Sequence, residues 1–111
     1  MAVTFWGLKT CDTCRKAQKA LTEAGVAFEV KDVRADGVPA EELARWLRCA
    51  GSDLLVNRRS TTWRSLSEAE RNGDVATLLS ANPTLIKRPV ITDGDEIHVG
   101  WSKDVQAAML G

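Results

Sequence analysis

Neither sign of charge is in excess in this chain: fifteen Lys and Arg balance fifteen Asp and Glu across 111 residues. A general nucleic-acid binder needs a cationic surplus to displace counterions from phosphates, so direct nucleic-acid binding is not expected. No apolar run approaches the roughly 20 residues of a membrane span. The opening MAVTFWGLKT lacks a charged leader, a long apolar segment and a small-residue cleavage site in succession, so no signal peptide is expected there. Histidine occurs once, at His98, and cysteine three times, an odd number too small for a disulfide scaffold. With one Cys-x-x-Cys and no second, a zinc site is short of ligands, and no metal is expected. Repeats and low-complexity segments are also missing. What remains is one domain over residues 1–111, cytoplasmic and monomeric, long enough to bury a core without staples.

The patterning that is present alternates between two periods. AVTFW (2–6) sets Val3 and Phe5 against Thr4 and Trp6, a strand ended by Gly7. From Asp12 to Ala24, Cys14, Ala17, Leu21 and Ala24 form one helical stripe, with Gly25 placed to end it. VAFEVKDV (26–33) alternates again, with Val26, Phe28 and Val30 on one face. These residues read as a βαβ unit. Residues 39–81 then read as all-helical. Pro39 opens a helix carrying Leu43, Trp46, Leu47 and Ala50 and stopping at Gly51. Ser65 with Glu68, or Ser67 with Glu70, forms a capping box for a short helix near 66–72. Asp74 starts another that buries Val75, Leu78 and Leu79 and closes at Asn82–Pro83. RPVIT (88–92), a DGD turn at 93–95 and EIHVGW (96–101) read as a hairpin. Ser102 caps a last helix burying Val105, Ala108 and Met109. The expected fold class is α/β: βαβ and ββα around one mixed sheet, the thioredoxin-like arrangement, with an inserted all-helical segment over about 39–81.

KTCDTCRKAQKAL (9–21) carries the chemistry. Cys11 stands where the loop after the first strand turns into a helix, and the free N–H groups and dipole there favour an anion. Arg15, Lys16 and Lys19 add positive potential on the next turns. Together these lower the pKa of Cys11 below the ordinary value of about 8.5 and raise its thiolate fraction. Cys14 lies on the apolar stripe and is expected to be shielded and less acidic. An exposed attacking thiol with a shielded partner one turn later can resolve a mixed disulfide. The plainer alternative, two buried small residues, suits Cys14 better than Cys11. Cys49 lies one turn after Trp46 and is expected to be buried, with a resolving role open to it only if its helix packs near Cys11.

CDTCRKAQKAL, TTWRSL (61–66) and NPTLIKRPVITDGDEIHVGWS (82–102) resemble the arsenate reductase (ArsC)/Spx family of thioredoxin-fold proteins over nearly the whole chain. The start is most similar to Spx regulators, and NRRSTTWRSL is more similar to the small YffB-type branch of glutathione-dependent thiol reductases. The resemblance implies that Cys11 is the nucleophile, that Pro89 is a cis proline facing it, and that Arg88 binds anions and stabilises the thiolate. The expected catalytic set is Cys11, Cys14 and Arg88, and the expected substrate-binding set is Pro89, Arg59 and Thr13. Glutaredoxin-linked arsenate reductases carry three arginines and an upstream His-Asn-Pro. Here GLKT replaces that segment, and Asn57 and Gly100 stand where two of the arginines align.

Two function classes follow. One is a thiol-disulfide reductase without a bound cofactor, using glutathione or another thiol as co-substrate and a glutaredoxin or thioredoxin as reductant. Between 45 and 88, eight basic residues face four acids, an excess that suits an anionic thiol or disulfide if part of it lines the cleft. The other is an Spx-like regulator that binds the RNA polymerase α subunit and is switched by a Cys11–Cys14 disulfide. Gly51, Arg59 and the exposed face of the first helix are then candidates for the contact. Arsenate reduction proper is a further alternative within the first class.

Overall fold

The computed structural model describes residues 3–94 and 96–110. Strand β1 (Val3–Gly7), helix α1 (Asp12–Glu23) and strand β2 (Phe28–Asp32) form the βαβ unit, with β1 and β2 parallel. Strands β3 (Val90–Asp93) and β4 (Glu96–Val99) form the antiparallel hairpin, followed by helix α7 (Lys103–Leu110). The sheet order is β2-β1-β3-β4, with β3 antiparallel to β1. This mixed four-stranded sheet is a thioredoxin-like α/β fold. Ala2 of the first expected strand and Asp95 of the expected turn lie outside the described residues.

The chain divides into two compact units, residues 1–32 with 88–111, and residues 33–87. In the first, α1 buries Cys14, Ala17 and Leu21 against Val3, Phe5, Ile91 and Val105. One apolar stripe of α1 thus meets one face of the sheet, the association that period-2 and period-3.6 patterns allow. Trp6, on the opposite face of β1, is also buried, with Lys31 Nζ of the neighbouring β2 5.1 Å from its ring centroid. Helix α1 ends in a Schellman motif: Gly25 donates to Thr22 O and Val26 to Leu21 O, with Gly25 at φ +78°. At the other terminus of the unit, Ser102 Oγ accepts from Val105 N–H and caps α7.

Three side chains depart from the expected stripes. Val30 is 51% exposed, because β2 is an edge strand with only β1 beside it. Ala24 is exposed because it is the C-cap of α1, already turning away from the sheet. Ala108 is exposed on α7, which turns Val105 inward and leaves Met109 half-buried.

The second unit is helical: α2 (Ala40–Ala50), α3 (Ser52–Leu55), α4 (Thr61–Ser65), α5 (Glu68–Arg71), α6 (Val75–Ala81) and a 3₁₀ turn (Pro83–Leu85). Pro39 is the N-cap of α2, one residue ahead of the first helical turn. The indole N–H of the fully buried Trp46 donates to Glu42 Oε1 at 3.0 Å, so its polar edge is satisfied inside the core. Ser67 and Glu70 form the capping box of α5, which settles the choice between the two serines. Asp74 caps α6, which buries Leu78 and Leu79. Helices α3 and α4 are too short to display a hydrophobic period, and α4 is marked only by its N-cap Ser60, whose Oγ accepts from Trp63 N–H. Arg71 holds α4 and α5 together: its guanidinium donates to Trp63 O and Arg64 O and stacks on the Trp63 ring at 5.5 Å.

Leu21→Ala removes a fully buried side chain from the first unit and is expected to cost about 2–5 kcal/mol in urea unfolding. Lys19→Ala, on the exposed face of the same helix, is expected to change stability by less than about 0.5 kcal/mol. Equal effects of the two substitutions would contradict the packing described.

Candidate functional site

Strand β1 runs out at Gly7, and four residues, Leu8 to Cys11, lead to the start of α1. Cys11 is the N-cap of that helix, in extended conformation (φ −89°, ψ 116°), with its backbone N–H bonded to Leu8 O at 3.2 Å. The side chain is half-buried and packs at the margin of the core. Cys14, three residues on, is fully buried within that core.

From the other end of the chain, the pairing of Trp6 with Val90 carries residue 89 to the level of Gly7 and residue 88 just past the end of β1. The Arg88–Pro89 bond is cis, Pro89 is fully buried, and Pro89 O accepts from Gly100 N–H at 2.7 Å. The half-buried Arg88 reaches Cys11 with its guanidinium. Antiparallel pairing of distant segments is thus what brings the two cysteines and the arginine together.

The two thiols titrate in opposite directions. Burial raises the pKa of Cys11, but the Cys14 backbone N–H, the Cys14 thiol and the Arg88 guanidinium together outweigh it, and the thiol lies below its ordinary value. Burial dominates at Cys14 and, with the neighbouring Cys11 anion, pushes it up to about 12, against the opposing pull of the Leu8 N–H. At neutral pH the arrangement holds a thiolate-prone Cys11 beside a protonated Cys14. Nucleophilic attack on sulfur or on another soft electrophile is the chemistry this state supports.

Of the positive charges expected at Cys11, the arginine implied by the resemblance acts on it and the cations of α1 do not. Arg88 is the cation acting on Cys11. Arg15 turns back to donate to Lys9 O at 3.1 Å and pairs with Asp12 at 3.5 Å, both at the surface. Lys16 and Lys19 are not among the groups that lower the Cys11 pKa. Thr13 is exposed on the first turn of α1, and it and Pro89 belong to the same unit as the cysteines. Arg59 is exposed in the second unit, its backbone N–H donating to Asn57 Oδ1.

Cys49 is exposed rather than buried. The apolar stripe of α2 runs through Leu43, Trp46 and Ala50, and Cys49 falls beside it. The basic excess of residues 45–88 is partly internal to the second unit: Arg45 pairs with Glu42 at 2.8 Å, Arg58 with Asp53 at 3.3 Å, and Arg71 serves α4. Leu8, whose backbone serves both cysteines, escaped sequence reasoning, since a main-chain hydrogen bond leaves no mark on residue type. Among the described residues, no group of three or more His, Cys, Asp and Glu is placed to hold a metal ion. No helix among them is long and apolar enough to cross a membrane.

The model of the ArsC family matches residues 6–109. The chain belongs to the ArsC family. Its similarity to an uncharacterized protein of Haemophilus influenzae is 42% identity, covering 96% of this chain and 97% of that protein. It is 27% identical to the global transcriptional regulator Spx of Staphylococcus saprophyticus, covering 92% of this chain and 82% of the regulator. The solved structure of the YFFB protein superposes with a TM-score of 0.91 at 37% identity, covering 98% of this chain and 99% of that one. The ArsC-family chain is therefore a thiol redox protein with relatives among both YffB-type proteins and Spx regulators.

Arg88→Ala is expected to raise the Cys11 pKa, and Arg88→Lys to restore part of the lowering through charge without the planar fork. Iodoacetamide alkylation followed against pH, with peptide mapping, checks this. Cys11 labelling in the unchanged protein should set in at lower pH than that of a free cysteine thiol in a short peptide, because alkylation follows the thiolate and the Cys11 pKa is depressed. Cys14 should stay unlabelled until far higher pH. An unmoved Cys11 profile in Arg88→Ala would remove the arginine from the site.

Proposed function

We propose that this ArsC-family protein is a thiol-disulfide reductase in which Cys11 attacks a small disulfide and Cys14 or an external thiol such as glutathione resolves the product. The observation that carries this reading is the opposed acidity of two adjacent thiols, with Arg88 beside the acidic one. The Cys11 thiolate attacks one sulfur of a substrate disulfide, the S–S bond breaks, and the departing thiolate takes a proton from water. A mixed disulfide remains on Cys11. Two of the effects that raise the Cys14 pKa arise from Cys11 itself, and its anion no longer exists in the mixed disulfide. Cys14 thereby becomes more acidic at the step where it must lose its proton and attack the Cys11 sulfur.

The second substrate thiolate then leaves and is protonated. Two electrons have passed from the protein dithiol to the substrate. Two external glutathione thiols restore the dithiol by exchange and leave as glutathione disulfide, either directly or through a glutaredoxin or thioredoxin. Arg88 supplies a fork for the substrate's carboxylate, with Thr13 and Pro89 as the further substrate-binding residues of the same unit. A reducing cytoplasm is the setting in which such a cycle turns over.

A second reading, a redox-switched regulator that contacts the RNA polymerase α subunit, is favoured by the 27% identity to a global transcriptional regulator Spx. Under this reading the Cys11–Cys14 disulfide is the switch rather than an intermediate.

Turnover of a glutathione mixed disulfide, coupled to glutathione oxidation, tests the reductase reading, with arsenate offered as an alternative oxidant in parallel. Cys11→Ser is expected to reduce turnover by at least about 100-fold. Cys14→Ser should accumulate a mixed disulfide on Cys11 where Cys14 resolves, and should change little where glutathione does. Full activity in Cys11→Ser would defeat the mechanism. Capture of purified RNA polymerase by the oxidised but not the reduced protein, without turnover, would transfer the assignment to the regulator.

A further inference from the structure

Gly7 differs from the turn glycines of this chain. Gly25, Gly37 and Gly51 have positive φ and open space where a Cβ would stand, so conformation accounts for them. Gly7 ends β1 without a positive φ, and there is no space beside it. A Cβ there would lie 2.9 Å from Cys14 Sγ, 3.3 Å from Cys14 Cβ and 2.9 Å from Phe5 Cε1. Comfortable contacts between such atoms begin near 3.5 Å. Both neighbours are fully buried in one core cluster, so neither can move into solvent to make room.

We propose that Gly7 is the positioning residue of the thiol pair: its missing side chain lets the Cys14 sulfur lie against the end of β1, where it stays within hydrogen-bonding reach of Cys11. This deepens the redox reading above and rests on it for its functional meaning. A methyl group at position 7 drives the Cys14 side chain from that place. The Cys11 thiolate then loses the Cys14 S–H donor while keeping the Cys14 backbone N–H and Arg88. The same displacement works against formation of the Cys11–Cys14 bond, in which both thiols lose their protons and pass two electrons to an added disulfide such as oxidised glutathione.

The test is the ultraviolet thiolate titration of Cys11 in a Cys49→Ser background, which removes the exposed third thiol. Gly7→Ala is expected to raise the Cys11 pKa by roughly 1 unit, the size of one charge-assisted hydrogen bond. At a fixed ratio of reduced to oxidised glutathione, it should also lower the fraction of Cys11–Cys14 disulfide. In Cys14→Ala, which lacks the sulfur, Gly7→Ala should produce no further shift. An equal shift in both backgrounds, or none in either, would overturn the assignment.

If Gly7→Ala does not fold, Phe5→Leu/Gly7→Ala is compared with Phe5→Leu alone, since the shorter side chain removes the aromatic clash and leaves the sulfur contact. Failure of the redox reading would show separately, as turnover surviving Cys11→Ser. An unmoved titration in a turnover-competent protein would sink only the role of Gly7.

Discussion

A negative charge on Cys11 is tenable only because three donors from two remote stretches of chain converge on one half-buried sulfur. Burial by itself would keep that thiol protonated. The Cys14 N–H at the opening of α1, the Cys14 thiol and the Arg88 guanidinium reverse the balance. The Cys14 N–H comes with any helix begun at this point, and the Cys14 thiol with a cysteine on its first turn packed against Gly7. The arginine comes only if β3 lies antiparallel to β1 in the observed register, so that residue 88 falls past the ladder's end. A slip of one residue would turn the β3 side chains to opposite faces and carry Arg88 away from the sulfur. Sheet register and thiol acidity are therefore one problem in this molecule.

The same packing makes the two cysteines unequal. Both belong to one short motif, yet one borders the core and the other lies inside it. Burial separates their acidities, and their mutual influence widens the gap for as long as Cys11 is an anion. Consumption of that anion narrows it. In the proposed reductase cycle such a dithiol is ordered in time: one thiol is ready at the outset and the second becomes acidic after the first has reacted. No moving part is required, because the switch is the charge on a neighbouring atom.

In the second unit, arginine does structural work that charge counting conceals. Arg71 satisfies the terminal carbonyls of α4 and, with Arg58, stacks on Trp63, while Arg45 shares Glu42 with the buried indole of Trp46. Helices of four or five residues are too short to be stable alone. Contacts to carbonyls and rings from Arg71 and Arg58 help to hold α4 and α5, so part of the basic excess serves the packing of this unit.

Residue type and spacing alone determined the βαβ and ββα halves, the helical segment between them, the Ser67–Glu70 box and the placement of Cys11 at a helix start, because each depends on neighbours within a turn or a strand. The buried state of Cys14 was legible for the same reason: it shares a 3.6-residue period with Ala17 and Leu21. The partnership of Arg88 was reached through family resemblance, since no local pattern links positions 11 and 88. Only the tertiary structure decided that Val30 faces outward, which follows from strand order, and that Cys49 misses the stripe of α2. It also decided that Arg15 turns away to Lys9 and Asp12, and that Gly7 is needed for room rather than for conformation. Those outcomes depend on what lies across space from a residue, and distance across space is not written in the order of the chain.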